Sequence, residues 1–224
     1  MIGLCGHGEI GRAIAEHVSP DVIHDPPMGM DLAESIQECT IVHVCVPPEA
    51  FDAVPWHHNA LWIVHTTTRL GQCRTAPVSR LVHAPIEGRH PDFQLYKWQM
   101  PVSGAEANVE QAVNYLHEVG IPAEPWVGDW ETTELAKLLS TLRLGWDVLF
   151  TQHAHELAQQ HGLDGLKVLN QWTELYNQRF AGTRFPRSNL TYQEGAIGGH
   201  CVLANAKHLA RLSWIADQVI GRGS

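Results

Sequence analysis

The sequence predicts an α/β fold in which a doubly wound parallel sheet is followed by an all-helical domain. Three observations carry this. Short apolar or β-branched runs alternate with helical stretches up to about residue 129. A glycine-rich turn, Gly6-His7-Gly8-Glu9-Ile10-Gly11, joins the first run to the first helix. After Asp129 the apolar spacing is helical throughout. The expected domains are residues 1–129 and 130–224.

Ile2-Gly3-Leu4-Cys5 runs directly into the glycines, and Ile10, Ala13, Ile14 and Val18 then recur at helical spacing. Strand, tight turn and helix in this order open a Rossmann domain. One glycine turns the chain, one lets a pyrophosphate approach the backbone, and one packs helix against strand. The amides of the helix N-terminus then face the phosphates. Gly6, His7, Gly8, Glu9, Ile10 and Gly11 are therefore the candidate phosphate cradle. The next strand, Asp21-Val22-Ile23-His24-Asp25, ends on an acid nineteen residues after Gly6, near the spacing at which a carboxylate binds the adenosine ribose hydroxyls. Pro26 and Pro27 supply no arginine for a 2′-phosphate, so NAD is the expected cofactor rather than NADP.

A helical stretch from Leu32 to Cys39 precedes the β-branched run Thr40 to Val46, which Pro47-Pro48 stops. Leu61 to His65 is another strand, ending in Thr66-Thr67-Thr68-Arg69-Leu70-Gly71. Leu81 to Pro85 is a third, followed by a polar loop from Ile86 to Phe93. Ligands of open parallel sheets lie beyond the carboxyl ends of the strands. The Val46-Pro47-Pro48, Thr66 to Thr68 and Pro85-Ile86-Glu87-Gly88 turns are thus expected to ring the cofactor and a small-molecule substrate, with Val46, Pro47 and Thr66 on the cofactor side. Pro101 to Gly104 ends one more strand, and Val109 to Val119 fits a surface helix.

Asp129 is a candidate N-cap for a long helix from Trp130 to about His161, with Leu135, Leu138, Leu139, Leu142, Trp146 and Leu149 repeating at three and four. This is more apolar surface than a small helical domain covers alone, so a homodimer through residues 130–161 is expected. Lys137 and Thr141 share one face of it. Asp164 caps a helix through Phe180, Thr183 to Glu194 is a polar loop, and Gly195 to Cys201 opens a final helix through Ile220. Gly198 and Gly199 before Cys201, and the helix after it, form a backbone nest that favours a thiolate, making Cys201 the candidate nucleophile. Cys5, Cys39, Cys45 and Cys73 read as small buried hydrophobes in strand or edge positions.

The formal net charge of -9 argues against a nucleic-acid surface. No run approaches the roughly 20 apolar residues of a membrane span, and the chain enters a strand without a charged leader. Five scattered cysteines without a Cys-x-x-Cys pair suit a reducing, cytoplasmic setting. The fifteen histidines show no zinc-type spacing, so no metal is expected and they read as scattered polar or half-buried side chains.

Taken together, these residues resemble the UDP-glucose/GDP-mannose dehydrogenase family, within the 6-phosphogluconate dehydrogenase-like superfamily, from Met1 to roughly His208. Val44-Cys45-Val46-Pro47-Pro48 is similar to the family's cofactor-side strand end, and His65 to Gly71 to its Ser-Thr-Val-x-x-Gly turn. Glu134-Leu135-Ala136-Lys137-Leu138 resembles its catalytic-lysine helix, and His155-Glu156-Leu157-Ala158 an Asn-Glu-Leu-Ala-like stretch. Gly198-Gly199-His200-Cys201 resembles its nucleophile motif. The resemblance implies an NAD-dependent oxidation of an alcohol, with Cys201 as nucleophile, Lys137 stabilising the developing oxyanion and Thr67 beside the nicotinamide. There are departures. Leu203 stands for the family's proline, Asn205 for an acid, and Thr141 for an asparagine, while Glu87 is one place out of register in the Pro-Glu loop. The family's C-terminal nucleotide-sugar domain has no counterpart here, so its UDP anchor is expected to be absent. A single-step 3-hydroxyacid or 6-phosphogluconate type of dehydrogenase, without covalent catalysis, and a non-catalytic NAD-binding protein are the alternatives.

Overall fold

In a computed structural model that describes residues 1–88, 93–126, 128–197 and 200–223, the chain divides into two compact units, Met1–Lys137 and Leu138–Ser224. The first contains a seven-stranded sheet of order β2-β1-β3-β4-β5-β6-β7. Its strands are β1 (Ile2–Cys5), β2 (Val22–His24), β3 (Ile41–Val44), β4 (Leu61–Val64), β5 (Leu81–His83), β6 (Met100–Gly104) and β7 (Ala123–Pro125). The helices are α1 (Glu9–Val18), α2 (Ala33–Ile36), α3 (Glu106–Glu118), α4 (Trp130–Gln160), α5 (Gly165–Arg179), α6 (His200–His208) and α7 (Trp214–Gly221). Among the described residues no helix is long and apolar enough to cross a membrane.

Strands β1 to β5 are parallel, β6 runs antiparallel to β5, and β7 pairs parallel with β6. Because they are parallel, β1, β3, β4 and β5 bring their carboxyl ends together along one edge, with the order switching at β1 because β2 and β3 flank it on opposite sides. One face of the sheet buries Leu4, Leu61, Ile63 and Val82 against Ile14 and Val18 of α1 and Ala112 and Leu116 of α3. The other buries Val42, Trp62 and Val64 with Ile36, Phe51 and Val54. Leu138 and Leu142 of α4 form a separate core with Val202 and Ala206 of α6 and Ala216 and Val219 of α7.

Several expectations are corrected. The Leu32–Cys39 stretch yields only the single turn of α2, because the chain must enter β3. The three-residue edge strand β7, which ends on Pro125, carries too little β-branched pattern to be seen in the sequence. The final helix is two, α6 and α7, parted where Arg211 takes a left-handed φ of 67°. Cys73 lies in a 3-10 turn rather than a strand. As expected, Cys5, Cys39, Cys45 and Cys73 are buried and Asp164 caps α5 through the Lys167 amide.

The histidines are less scattered than their spacing suggested. A Val-His step recurs at Val42-His43, Val64-His65 and Val82-His83, and all of these rings are fully buried. His65 donates from Nδ1 to the Ala84 carbonyl at 2.8 Å, which leaves Nε2 as an acceptor. His43 therefore donates from Nδ1 to His65 at 2.8 Å and accepts at Nε2 from the Tyr115 hydroxyl at 3.0 Å. The result is one directional chain of neutral groups from α3 to the end of β5. Burial holds His65 and His83 at about 4 against 6.5 for a free imidazole, and pushes His43 well below that value too.

These rings tie stability to pH. Unfolded, they take up protons as the pH drops through 6.5; folded, His65 and His83 resist until about 4. The unfolded state then binds more protons in that window, so stability is fully present above it and is lost on acidification. His65 and His83 are each worth on the order of 3 kcal/mol of this loss. Thermal melts are expected to be level above about pH 6.5 and to fall steeply between about 6.5 and 4.5. A level profile through that window would contradict the buried neutral rings.

Candidate dinucleotide site and active site

The glycine turn follows from steric demands at each position. Gly6, leaving β1, has φ of 89°, and a Cβ there would lie 2.7 Å from the Cys45 carbonyl oxygen. A Cβ on Gly11 would collide with the Gly6 carbonyl. Gly8 is different: its backbone suits any residue, yet a Cβ there meets no atom within 4 Å. An open face thus lies over the N-terminus of α1, which Gly8 caps without a side-chain hydrogen bond. Asp25 Oδ2 accepts the His7 amide at 2.5 Å, so the acid at the end of β2 fixes the loop. Glu9 is exposed in the first turn of α1, and Ile10 packs half-buried on the core. Val46 and Pro47 follow β3, half-buried and exposed respectively.

At the end of β4 the threonine turn is held from beneath. Thr68 donates to Glu134 Oε1 at 3.1 Å, Cys73 N–H to the same oxygen at 2.9 Å, and Gly71 N–H to Oε2 at 2.6 Å. Glu134 is fully buried. Burial, with this carboxylate alongside, pushes the Cys73 thiol well above its usual range. His83 donates from Nε2 to the Thr66 carbonyl at 3.1 Å and accepts at Nδ1 from Thr133 at 2.7 Å. Thr67 is half-buried, and the buried Thr66 Oγ1 has no hydrogen-bond partner among the described residues. One turn along the helix, the half-buried Lys137 donates from Nζ to the Ile86 carbonyl at 2.7 Å, beside the turn after β5. Glu87 is exposed in that turn.

The first unit thus brings the glycine loop, Val46-Pro47, the threonine turn and the Ile86–Lys137 contact onto the carboxyl edge of one sheet. These groups fit a dinucleotide. The open face at Gly8 admits a pyrophosphate, and a buried unsatisfied hydroxyl such as Thr66 Oγ1 is uncommon unless a ligand or water completes it. Glu134, Thr133 and His83 were not singled out as site residues in the sequence. Glu134 stood three places before Lys137, and the repeated Val-His step was the available signal for His83.

In the second unit Asn205 donates its amide to Thr141 Oγ1 at 3.0 Å, so the two departures from the family pattern pair with each other. An amide in that role cannot act as a base. Cys201 is exposed in the first turn of α6, the sole exposed thiol of the five. The proposed nest residues Gly198 and Gly199 lie outside the described residues. The segment before them is pinned by carboxamides. Asn177 exchanges two bonds with the Arg187 backbone, Asn170 two with Leu190, and Gln152 donates to the carbonyls of Gln193 and Gly195.

No protein-family profile and no curated protein matches this chain by sequence. Solved structures do match by fold. A 3-hydroxyisobutyrate dehydrogenase from Mycobacterium tuberculosis, solved with L-serine, superposes with TM-score 0.67 at 13% identity, over 98% of this chain and 91% of that one. A UDP-D-ManNAc dehydrogenase from Pyrococcus horikoshii gives 0.69 at 17% identity, over 99% of this chain and 68% of its own. A UDP-glucose dehydrogenase from Pyrobaculum islandicum gives 0.71 at 15% identity, over 99% and 67%. The chain spans about two thirds of the length of these two nucleotide-sugar enzymes. At such identities the likeness is one of fold: the α/β sheet followed by helices is the architecture these dehydrogenases share.

Proposed function

We propose that this protein is an NAD-dependent oxidoreductase that oxidises a CH–OH group of a small molecule, with Lys137 as its principal polar catalytic group. The observation that carries the reading is the glycine turn at the switch point of the sheet, open at Gly8 and closed by its own backbone at Gly6 and Gly11. Its similarity in fold to hydroxyacid and nucleotide-sugar dehydrogenases supports the same class. The amides at the start of α1, beyond the His7 amide that Asp25 already takes, hold the pyrophosphate, Asp25 the adenosine ribose, and Val46, Pro47 and the threonine turn flank the rest of the cofactor. NAD, when bound, supplies the hydride acceptor. Lys137, with one N–H committed to the Ile86 carbonyl, directs its ammonium charge at the substrate oxygen, where negative charge grows as the alcohol proton passes to solvent water.

Gly8→Val tests the cofactor half cleanly. The side chain enters open space, so the melting temperature is expected to stay near that of the wild type. NAD binding by calorimetry is expected to be lost. Wild-type protein that binds no NAD, or a folded Gly8→Val protein that binds it equally well, would overturn the assignment.

A second reading adds a covalent step, in which the Cys201 thiolate attacks the aldehyde carbonyl formed by the first oxidation. The exposure of Cys201 favours it; the Asn205–Thr141 pair, which offers no base, favours a single step. Iodoacetamide labelling with peptide mapping decides. The covalent reading expects Cys201 to label far faster than a small model thiol at the same pH, and equal rates would remove it.

The homodimer belongs to the same proposal. Leu135, Leu139, Phe150 and Leu157 lie along one side of α4 and are each at least 37% exposed, a long apolar face for a water-facing helix. Light scattering is expected to give twice the chain mass, and a monomer at micromolar concentration would contradict it.

A further inference from the structure

The carboxylate of Glu134 is buried at the sheet's carboxyl edge and accepts three hydrogen bonds there, and the chemistry proposed for Lys137 makes no direct use of it. Both its oxygens accept, from the Thr68 hydroxyl and from the Cys73 and Gly71 amides, so the chain from Thr68 to Cys73 is wrapped around a single side chain. That side chain belongs to α4, not to the sheet. Three residues later the same helix presents Lys137, fixed to the Ile86 carbonyl. The turn beyond β4 and the lysine beside the turn beyond β5 are therefore set by one short piece of helix. On the other side of the turn, His83 holds the Thr66 carbonyl.

The place of the turn in the sheet says what it is held for. A dinucleotide whose pyrophosphate lies at the end of β1, with one ribose at Asp25 after β2, must extend its second nucleoside the other way, over β3 and β4. Neighbouring strands are about 4.8 Å apart, so β4 lies roughly 10 Å from β1, within reach of that half. What waits there is Thr66 Oγ1, buried and without a partner among the described residues. A nicotinamide carboxamide has the donor and acceptor that such a hydroxyl lacks.

We infer that Glu134 is a positioning residue: by gripping Thr68, Gly71 and Cys73 it fixes the Thr66–Thr68 turn against the nicotinamide half of the cofactor and in register with Lys137. The inference rests on the dinucleotide reading of the glycine loop. Glu134 touches neither cofactor nor substrate and acts through the turn. Replacing it by glutamine keeps its size but sets an amide N–H₂ against groups that are themselves donors, so the grip fails on at least one side.

The test compares two probes on the folded protein, NADH and ADP-ribose, the second lacking only the nicotinamide ring. With Glu134→Gln, ADP-ribose is expected to bind within about twofold of wild type, while NADH weakens about tenfold, the scale of one lost hydrogen bond of good geometry. Thr68→Val removes one donor at nearly constant volume and is expected to move NADH in the same direction by about threefold; it carries the test if the glutamine variant does not fold. Equal weakening of both probes would show a merely structural role and overturn the inference, as would no change in either. Wild-type protein that binds ADP-ribose but gains nothing from the nicotinamide would also overturn it, leaving the glycine-loop reading intact. Wild-type protein that binds neither probe would remove that reading and the inference with it.

Discussion

A buried carboxylate surrounded by donors governs this structure. Each hydrogen bond to a charged acceptor is worth about 1.5–3 kcal/mol, and removing its partners strands the charge in the interior at a cost of several more. The Thr68–Cys73 backbone can therefore leave Glu134 only at a large penalty. The rest of the helix start is docked with it. Trp130 donates its indole N–H to Leu81, Thr133 bonds His83, and Lys137 reaches Ile86. Positions 130, 133, 134 and 137 fall on one helical face, so the first two or so turns of α4 are fastened to β5 and to the turns beyond β4 and β5. The contacts are largely polar, which is unusual for helix-on-sheet packing and suits a region whose neighbours must meet a polar ligand.

Against this fixed side stands the glycine loop, whose geometry follows from what is missing rather than what is present. Gly6 and Gly11 lack side chains because backbone atoms occupy the space, whereas Gly8 lacks one with nothing in its way. A fold in isolation would not penalise a side chain at Gly8. An open position flanked by closed ones is what a ligand approaching the main chain needs, and it supports the dinucleotide reading more directly than the motif spacing does. Polarity in the core extends the theme. The Tyr115–His43–His65 chain ends on the Ala84 carbonyl, two residues before the carbonyl that holds Lys137, so the turn after β5 is also tied down from within the sheet.

Much of this was legible in the sequence, and the limits have physical causes. Strands β1, β3, β4 and β5 announce themselves because β-branched runs stop at glycine, proline or threonine clusters on the ligand side. The edge strand β7 did not, since three residues ending in proline gain their order from pairing with β6 rather than from their own pattern. The break between α6 and α7 rests on one left-handed arginine, a conformation no local signal demands. Site residues divide in the same way. Gly6, Gly8, Gly11, Asp25 and Lys137 carry local motifs, but Glu134 draws its partners from 61 to 66 residues away, and only the fold brings them together. Asn205 and Thr141 look like separate departures in the sequence, and the structure joins them in one hydrogen bond.

The most direct measurement is a crystal structure of the protein grown with NAD. The pyrophosphate is predicted to lie on the amides between Gly6 and Gly11, with the adenosine ribose on Asp25 and the nicotinamide carboxamide hydrogen-bonded to the Thr66–Thr68 turn while Glu134 keeps its hold on Gly71 and Cys73. Density for NAD anywhere other than this edge of the sheet, or a threonine turn that leaves Glu134 when the cofactor binds, would contradict it.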